Sequence, residues 1–331
     1  MCLIFVLPCD IIVKSYEIRV FRYRVRRRRK FYAKICVFGY VVCDEKFNII
    51  EKCDLLINPQ GRFELTDRKG EKGIILPYEY GIFKKQPTFQ QVYPKIKSLL
   101  EDGETRVLGH AVLNDVKYLN LETRRFRLPS FRFSFADSQL LFMSSINDFS
   151  HQFGLEHIAN ELGVEFTPHR AVDDAYATMR VVQAMCERYG CDLDGLCKEL
   201  GFTYGKIENY TVTRPQTRSF KSYKRERKAA KIARANARIA FYNNLSRKRF
   251  KRGGLLGGKT FNFSRAIEDD VEQSIPLVDK IYSLGGKYSQ HVEECDYFVR
   301  PDGDETDRTK KAVAGNKTIL SLENLGELLN G

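Results

Sequence analysis

Between residues 34 and 205 the hydrophobic positions switch between a period of two and a period near 3.6. Residues 34–42 and 49–57 are β-branched and apolar, and the turn-prone run 43–48 joins them, which predicts an antiparallel hairpin. From 88 to 100, Phe89, Val92, Ile96, Leu99 and Leu100 recur on one helical face. A short buried strand over 106–109, a helix over 114–126, a strand over 131–136 and helices over 155–162 and 174–189 follow. Strands that lead into alternating helices and strands predict an α/β fold, a mixed sheet flanked by helices.

Residues 206–254 break this rhythm. They are rich in Lys, Arg and Ala, and a basic helix is expected over 223–241 between flexible ends. From 255 the pattern becomes domain-like again: a strand over 260–263, a helix over 267–284 stopped by Gly285-Gly286, short strands over 287–289 and 297–299, and helices over 309–314 and 322–329. Glycine after a helix is a stop signal, because it enters the left-handed conformation without a Cβ clash. The chain therefore reads as an aberrant segment 1–33, a domain 34–205, a basic linker 206–254 and a small α/β domain 255–331.

Charge sharpens the picture. The formal net charge is +13 over 331 residues. Residues 211–254 carry fifteen Lys and Arg against one Glu, and residues 16–30 carry eight against one, so the rest of the chain is mildly acidic. Two local basic patches point to a polyanionic partner. For the linker two readings stay open, a solvated helix or a nucleic-acid contact with salt-sensitive binding.

The nine cysteines are scattered and form no Cys-x-x-Cys pair, so neither a disulfide framework nor a zinc site is indicated, and a reducing, cytoplasmic location is expected. Residues 1–13 are apolar but lack a basic start and contain Asp10, which argues against a secretory signal. No other run approaches the length of a membrane-spanning helix, so no membrane partner is expected.

The candidate chemistry sits in two words. His169-Arg170-Ala171-Val172-Asp173-Asp174-Ala175 sets a histidine five residues before a carboxylate at the start of a helical pattern, and Gly109-His110-Ala111-Val112-Leu113-Asn114-Asp115 precedes it. Together they resemble the third and second motifs of the DnaQ-like (DEDDh) 3′-to-5′ exonucleases, relatives of the DNA polymerase III epsilon subunit with an RNase H-like fold. The resemblance implies that Asp115 and Asp174 hold Mg²⁺ or Mn²⁺, that His169 is the general base, and that Asp137 is a structural cap. Carboxylate oxygens suit those ions, and a group titrating near neutrality suits proton abstraction from water. N-capping is the competing role for both aspartates, with Asn114 able to cap as well. His110, His151, His157 and His291 have no partner spacing and read as structural.

The order of elements from 255, with Gly285-Gly286 and Cys295-Asp296-Tyr297-Phe298-Val299, resembles a BRCT domain. The chain has no tryptophan, so Leu325 or Leu328 is expected where the last helix of that family carries an aromatic. Ser264 and Arg308 stand where some members bind phosphate, but Arg265 replaces the expected glycine.

The family's first motif, Asp-x-Glu on the opening strand, is missing. Its place holds Tyr16-Glu17-Ile18-Arg19-Val20-Phe21-Arg22-Tyr23-Arg24-Val25-Arg26. A central strand needs apolar side chains on both faces, so this stretch is expected not to form one. Shifted by one base, codons for these residues can spell Met-Lys-Phe-Val-Phe-Phe-Asp-Ile-Glu-Cys-Ala, a hydrophobic strand ending in Asp-x-Glu. In a second reading residues 3–7 form the strand and Asp10 stands in for the aspartate, which leaves Ile12 where the glutamate belongs. By resemblance the function is 3′-to-5′ removal of nucleotides, impaired in this translation, on DNA ahead of RNA and in the setting of DNA repair, with a protein partner for the BRCT-like domain. The alternative is a non-catalytic scaffold that binds nucleic acid or a phosphopeptide.

Overall fold

The computed structural model describes residues 34–61, 78–101, 106–165, 170–249 and 253–330, and the backbone of 17–26. The chain divides into two compact units, Met1–Tyr223 and Lys224–Gly331.

The first unit is built on β1 (Glu17–Arg26), β2 (Lys34–Asp44), β3 (Ile49–Leu56), α1 (Tyr80–Lys84), α2 (Phe89–Leu100), β4 (Arg106–Gly109), α3 (Leu113–Arg125), β5 (Phe133–Asp137), α4 (Ser138–Ser145), α5 (Leu155–Glu161), α6 (Ala171–Tyr189), α7 (Leu193–Glu199), β6 (Gly205–Glu208) and β7 (Thr211–Thr213). Its seven-stranded sheet has the order β3-β2-β1-β4-β5-β6-β7. The sheet is mixed: β1, β4 and β5 are parallel, and β2, β3, β6 and β7 join as antiparallel partners.

The expected hairpin is present, with Val37 opposite Leu56 and Val42 opposite Glu51. Strand β2 is buried on both faces because alternate residues enter different cores. Tyr40 and Val42 join α2 and α3 in one cluster, whereas Val41 and Cys43 join α4 to α7 in the other.

One expectation is overturned. The backbone of Glu17–Arg26, whose arginines argue against an inner position, runs between β2 and β4. It pairs antiparallel with β2, Arg22 opposite Gly39, and parallel with β4, Val20 opposite Leu108. The reason is backbone accounting. Without a strand there, the facing edges of β2 and β4 would bury unpaired peptide groups, and that cost outweighs an unfavourable side-chain pattern. Asp10 and Ile12 lie outside the described residues.

Residues 205–213, read from composition as the domain's end and the opening of a linker, form the hairpin β6–β7 at the sheet edge, where Ile207 is fully buried. Gly205 is required at its start: a Cβ would come within 2.5 Å of the Phe135 ring.

Helix α8 (Arg218–Ser246) follows, and from Lys224 onward it belongs to the second unit. That unit continues with β8 (Thr260–Phe263), α9 (Arg265–Glu268), α10 (Val271–Ser283), β9 (Lys287–Tyr288), β10 (Tyr297–Val299), α11 (Asp307–Ala314), β11 (Thr318–Leu320) and α12 (Leu322–Asn330). All four strands are parallel in the order β11-β10-β8-β9. The helix expected over 267–284 is two helices, interrupted where Asp270 caps α10 by accepting from Gln273 N. Gly285, at φ +87°, supplies the expected stop. Phe241, Phe261, Phe263 and Leu325 are fully buried in the core, so Leu325 fills the place foreseen for an apolar residue on the last helix.

Candidate active site

The position of Asp174 is set by a glycine and by an acid from another strand. A Cβ on Gly39 of β2 would lie 2.3 Å from Ala171 C and from Val172 N, so only glycine lets the first turn of α6 rest on the sheet there. The residue before that turn, Arg170, provides no side-chain cap. Asp54 of β3 provides one instead: its Oδ1 accepts from Val172 N at 2.9 Å, and its Oδ2 pairs with the Arg170 guanidinium at 3.3 Å and accepts from Tyr78 OH at 2.7 Å. The tyrosine oxygen in turn accepts from Ala171 N at 3.3 Å. Burial and the Asp54 carboxylate both raise the Tyr78 phenol's pKa, keeping it a donor.

Helix α6 therefore begins three residues before the sequence pattern suggests, and Asp174 lies inside its first turns, not at the cap. The residue is 4% exposed. The neighbouring Asp173 turns toward partners nearer the surface, Lys52 at 3.2 Å and Arg170 at 3.8 Å. His169 lies outside the described residues.

Asp115 sits in the first turn of α3, whose N-cap is Val112 with no side-chain hydrogen bond. The turn leading into that helix is held by Asp137, a residue expected to act as a cap. Its Oδ1 accepts from Gln139 N at 3.0 Å and from Ala111 N at 2.9 Å, and Ala111 adopts a left-handed φ of +50°. Burial pushes the Asp137 carboxyl up to about 6, against the opposing effect of the backbone N–H groups it accepts from. His110 is buried, with Nδ1 3.1 Å from Ser138 Oγ.

Strand registers bring these helix starts to one end of the sheet. Val20 lies beside Leu108, and Gly109 beside Asp137, so β4 and β5 end level with the middle of β1, which runs on along β2 to Arg26, and α3 departs from that end of β4. Arg22 lies opposite Gly39, the residue on which α6 rests, and α6 packs along β1 and β2. Asp115 and Asp174 thus rise on helices covering opposite faces of the sheet, at the carboxyl end of its parallel strands, where open α/β sheets bind ligands.

The donor set falls short of a two-ion centre. Two divalent ions need several carboxylates to hold them, and this end offers Asp115 and Asp174 beside a strand whose residues are Arg22, Tyr23 and Arg24. Among the described residues no group of three or more His, Cys, Asp or Glu side chains converges on a metal position. The residues present do not fit the pair of ions that the resemblance implies.

In the second unit, Ser264 Oγ is buried without a hydrogen-bond partner among the described residues, and Arg308 donates to Phe263 O at 3.0 Å and to Gln290 O at 2.9 Å. Its charge is matched by the fully buried Glu268 at 2.8 Å, which also accepts from Tyr242, Tyr288 and Arg265. The arginine expected to read phosphate is thus tied into the fold.

By sequence, the segment that carries the site is matched to exonucleases: residues 29–182 fit the exonuclease family RNase_T. The DNA polymerase III subunit epsilon of Aquifex aeolicus (strain VF5) is 28% identical over 136 residues, 41% of this chain and 60% of that protein. The chain thus spans less than two thirds of that relative. Among solved structures, a full-length 3′-exonuclease is 16% identical with a TM-score of 0.47, covering 60% of this chain and 95% of its own. E. coli Exonuclease I in complex with a dA16 oligonucleotide is 18% identical with a TM-score of 0.41, covering 55% and 42%.

Proposed function

We propose that this chain is a 3′-to-5′ exonuclease that hydrolyses phosphodiester bonds at nucleic-acid 3′ ends, DNA ahead of RNA, and that the translation printed here has lost its first carboxylate pair. The observation that carries the reading is that the α3 and α6 starts, with Asp115 and Asp174, both lie toward the carboxyl end of the short parallel strands β4 and β5, inside a segment matched to exonucleases. His169 is the general base of the proposal, and Mg²⁺ or Mn²⁺ its cofactor once the donor set is complete.

The defect is local. The family match starts at residue 29, just past β1, and β1 occupies the central slot that an Asp-x-Glu strand would take. Both facts support the one-base shift, in which Met-Lys-Phe-Val-Phe-Phe-Asp-Ile-Glu-Cys-Ala replaces residues 16–26 and puts its two acids near Arg22 to Val25, at the level of Gly39. The nucleotide sequence across residues 10–34 tests this directly. A shifted frame encoding Asp-x-Glu is expected, and the idea fails if neither shifted frame contains it.

The all-parallel sheet of the second unit, with its first strand inside and its second at the edge, supports a BRCT-like domain at 255–331 as a docking module for a protein partner. The proposed divisions remain the exonuclease domain 34–205, extended by the β6–β7 edge, and the basic linker after it. A cytoplasmic location in DNA repair completes the reading.

The short donor set favours a second reading for the literal chain, a nucleic-acid-binding scaffold without hydrolysis. Incubation with a 3′-labelled single strand and Mg²⁺ separates the two. Shortening that disappears in His169→Ala supports the enzyme. Intact strands with retained salt-sensitive binding support the scaffold.

A further inference from the structure

Helix α8 leaves residues 224–236 exposed at every position. Such a helix lacks the buried stripe that normally holds a surface helix in place. Its charges are not random. Arg227, Lys228, Lys231 and Arg234 recur at spacings that put them on one side, while Ala229, Ala230 and Ala233 take the other. Glu226 is the one acid in Arg218–Ser246, and among the described residues no carboxylate pairs with any of the four cations. Like charges three and four residues apart oppose the helix, and only the propensity of Ala, Lys and Arg favours it. The next cation, Arg238, is committed to Asp269 at 2.7 Å, and Phe241 beyond it is buried in the core. The bare stripe is therefore anchored at one end by the second unit's own packing.

We infer that this stripe is a binding surface for the phosphates of one strand of a nucleic-acid duplex. The lengths agree. At about 1.5 Å per residue the four cations span about 10 Å, and four successive phosphates of one strand, about 3.4 Å apart along the duplex axis, span about 10 Å. A helix with side chains is also about as wide as the major groove. A membrane surface would require a broad apolar face opposite the cations, and that side here carries alanines together with Arg225, Asn236 and Glu226. Bound phosphates turn the mutual repulsion of the stripe into attraction. The inference does not depend on the exonuclease reading, because it concerns affinity alone.

The test is binding of the full chain to a fluorescent blunt duplex with the divalent ions chelated, so that hydrolysis plays no part. The quadruple variant Arg227→Gln, Lys228→Gln, Lys231→Gln, Arg234→Gln keeps helix propensity, and circular dichroism checks that it folds. The slope of log affinity against log salt is expected to fall by about 3.6, so that between 50 and 200 mM salt the native chain loses about a hundredfold more affinity than the variant. An unchanged slope overturns the proposal. So does a variant that loses binding only to single strands, or only to anionic vesicles, while duplex binding stays as it was.

Discussion

Gly39 and Val172 meet backbone to backbone: a Cβ on the glycine would stand 2.3 Å from the valine nitrogen. The contact fixes how deeply the start of α6 settles on the sheet, and with it the position of Asp174. Gly39→Ala is expected to destabilise the first unit by about 3 kcal/mol, since the obstructing atoms are backbone that cannot rotate away. Urea unfolding of the native and variant chains checks this.

Asp54 caps α6 from a different strand, and removing it leaves Val172 N, Arg170 and Tyr78 without their shared acceptor. Asp54→Ala is expected to cost about 2 kcal/mol, and Asp54→Asn less, because the amide oxygen can still accept from Val172 N. Thermal melts of both variants supply the comparison.

The raised Asp137 carboxyl makes a signed prediction about pH. Its folded value, about 6, lies above the ordinary 3.8. Its stabilising contribution is therefore complete below pH 4, declines as pH rises, and is gone above about pH 6, because there the fold must hold a buried anion. The interval corresponds to about 3 kcal/mol. Asp137→Asn, which still accepts from Ala111 N, is expected to flatten the stability profile between pH 4 and 6 relative to the native chain. Urea midpoints measured across that range test it.

Glu268 is fully buried and accepts from Arg308, Arg265, Tyr242 and Tyr288. Glu268→Leu strands the Arg308 guanidinium in the interior of the second unit and is expected to cost about 3–5 kcal/mol. Pairing it with Arg308→Met should recover much of the loss, and a double-mutant cycle measures the recovery.

Apolar runs bounded by turn residues, and one-sided helical periodicity, exposed the elements that carry such local signals. The hairpin β2–β3, helix α2 and the Gly285 stop all appear where the hydrophobic pattern and turn residues put them. Helix α4 is buried at Leu140, Leu141, Phe142, Met143 and Ser144 alike, so it has no amphipathic face to detect. The start of α6 depends on Asp54, more than a hundred residues upstream, which no local signal near Arg170 reveals. Strand β1 hides because its place is set by the open edges of its neighbours and not by its own side chains. The candidate residues rest on a spacing, His169 to Asp174, and on the word around Asp115, and of these His169 lies outside the described residues. The supports that position them, Gly39, Asp54 and Asp137 joined to Ala111, belong to tertiary structure.

The central claim is that this strand position, once it carries the missing acids, completes a hydrolytic centre with Asp115 and Asp174. The measurement is shortening of a 3′-labelled single strand in Mg²⁺ by the chain in which residues 16–26 are replaced with Met-Lys-Phe-Val-Phe-Phe-Asp-Ile-Glu-Cys-Ala, beside the unreplaced chain and the replaced chain carrying Asp174→Asn. The account predicts rapid 3′-to-5′ shortening by the replaced chain, at least a hundredfold less by the other two, and the same folded content in all three. A folded but inert replaced chain, or shortening indifferent to Asp174→Asn, would contradict it.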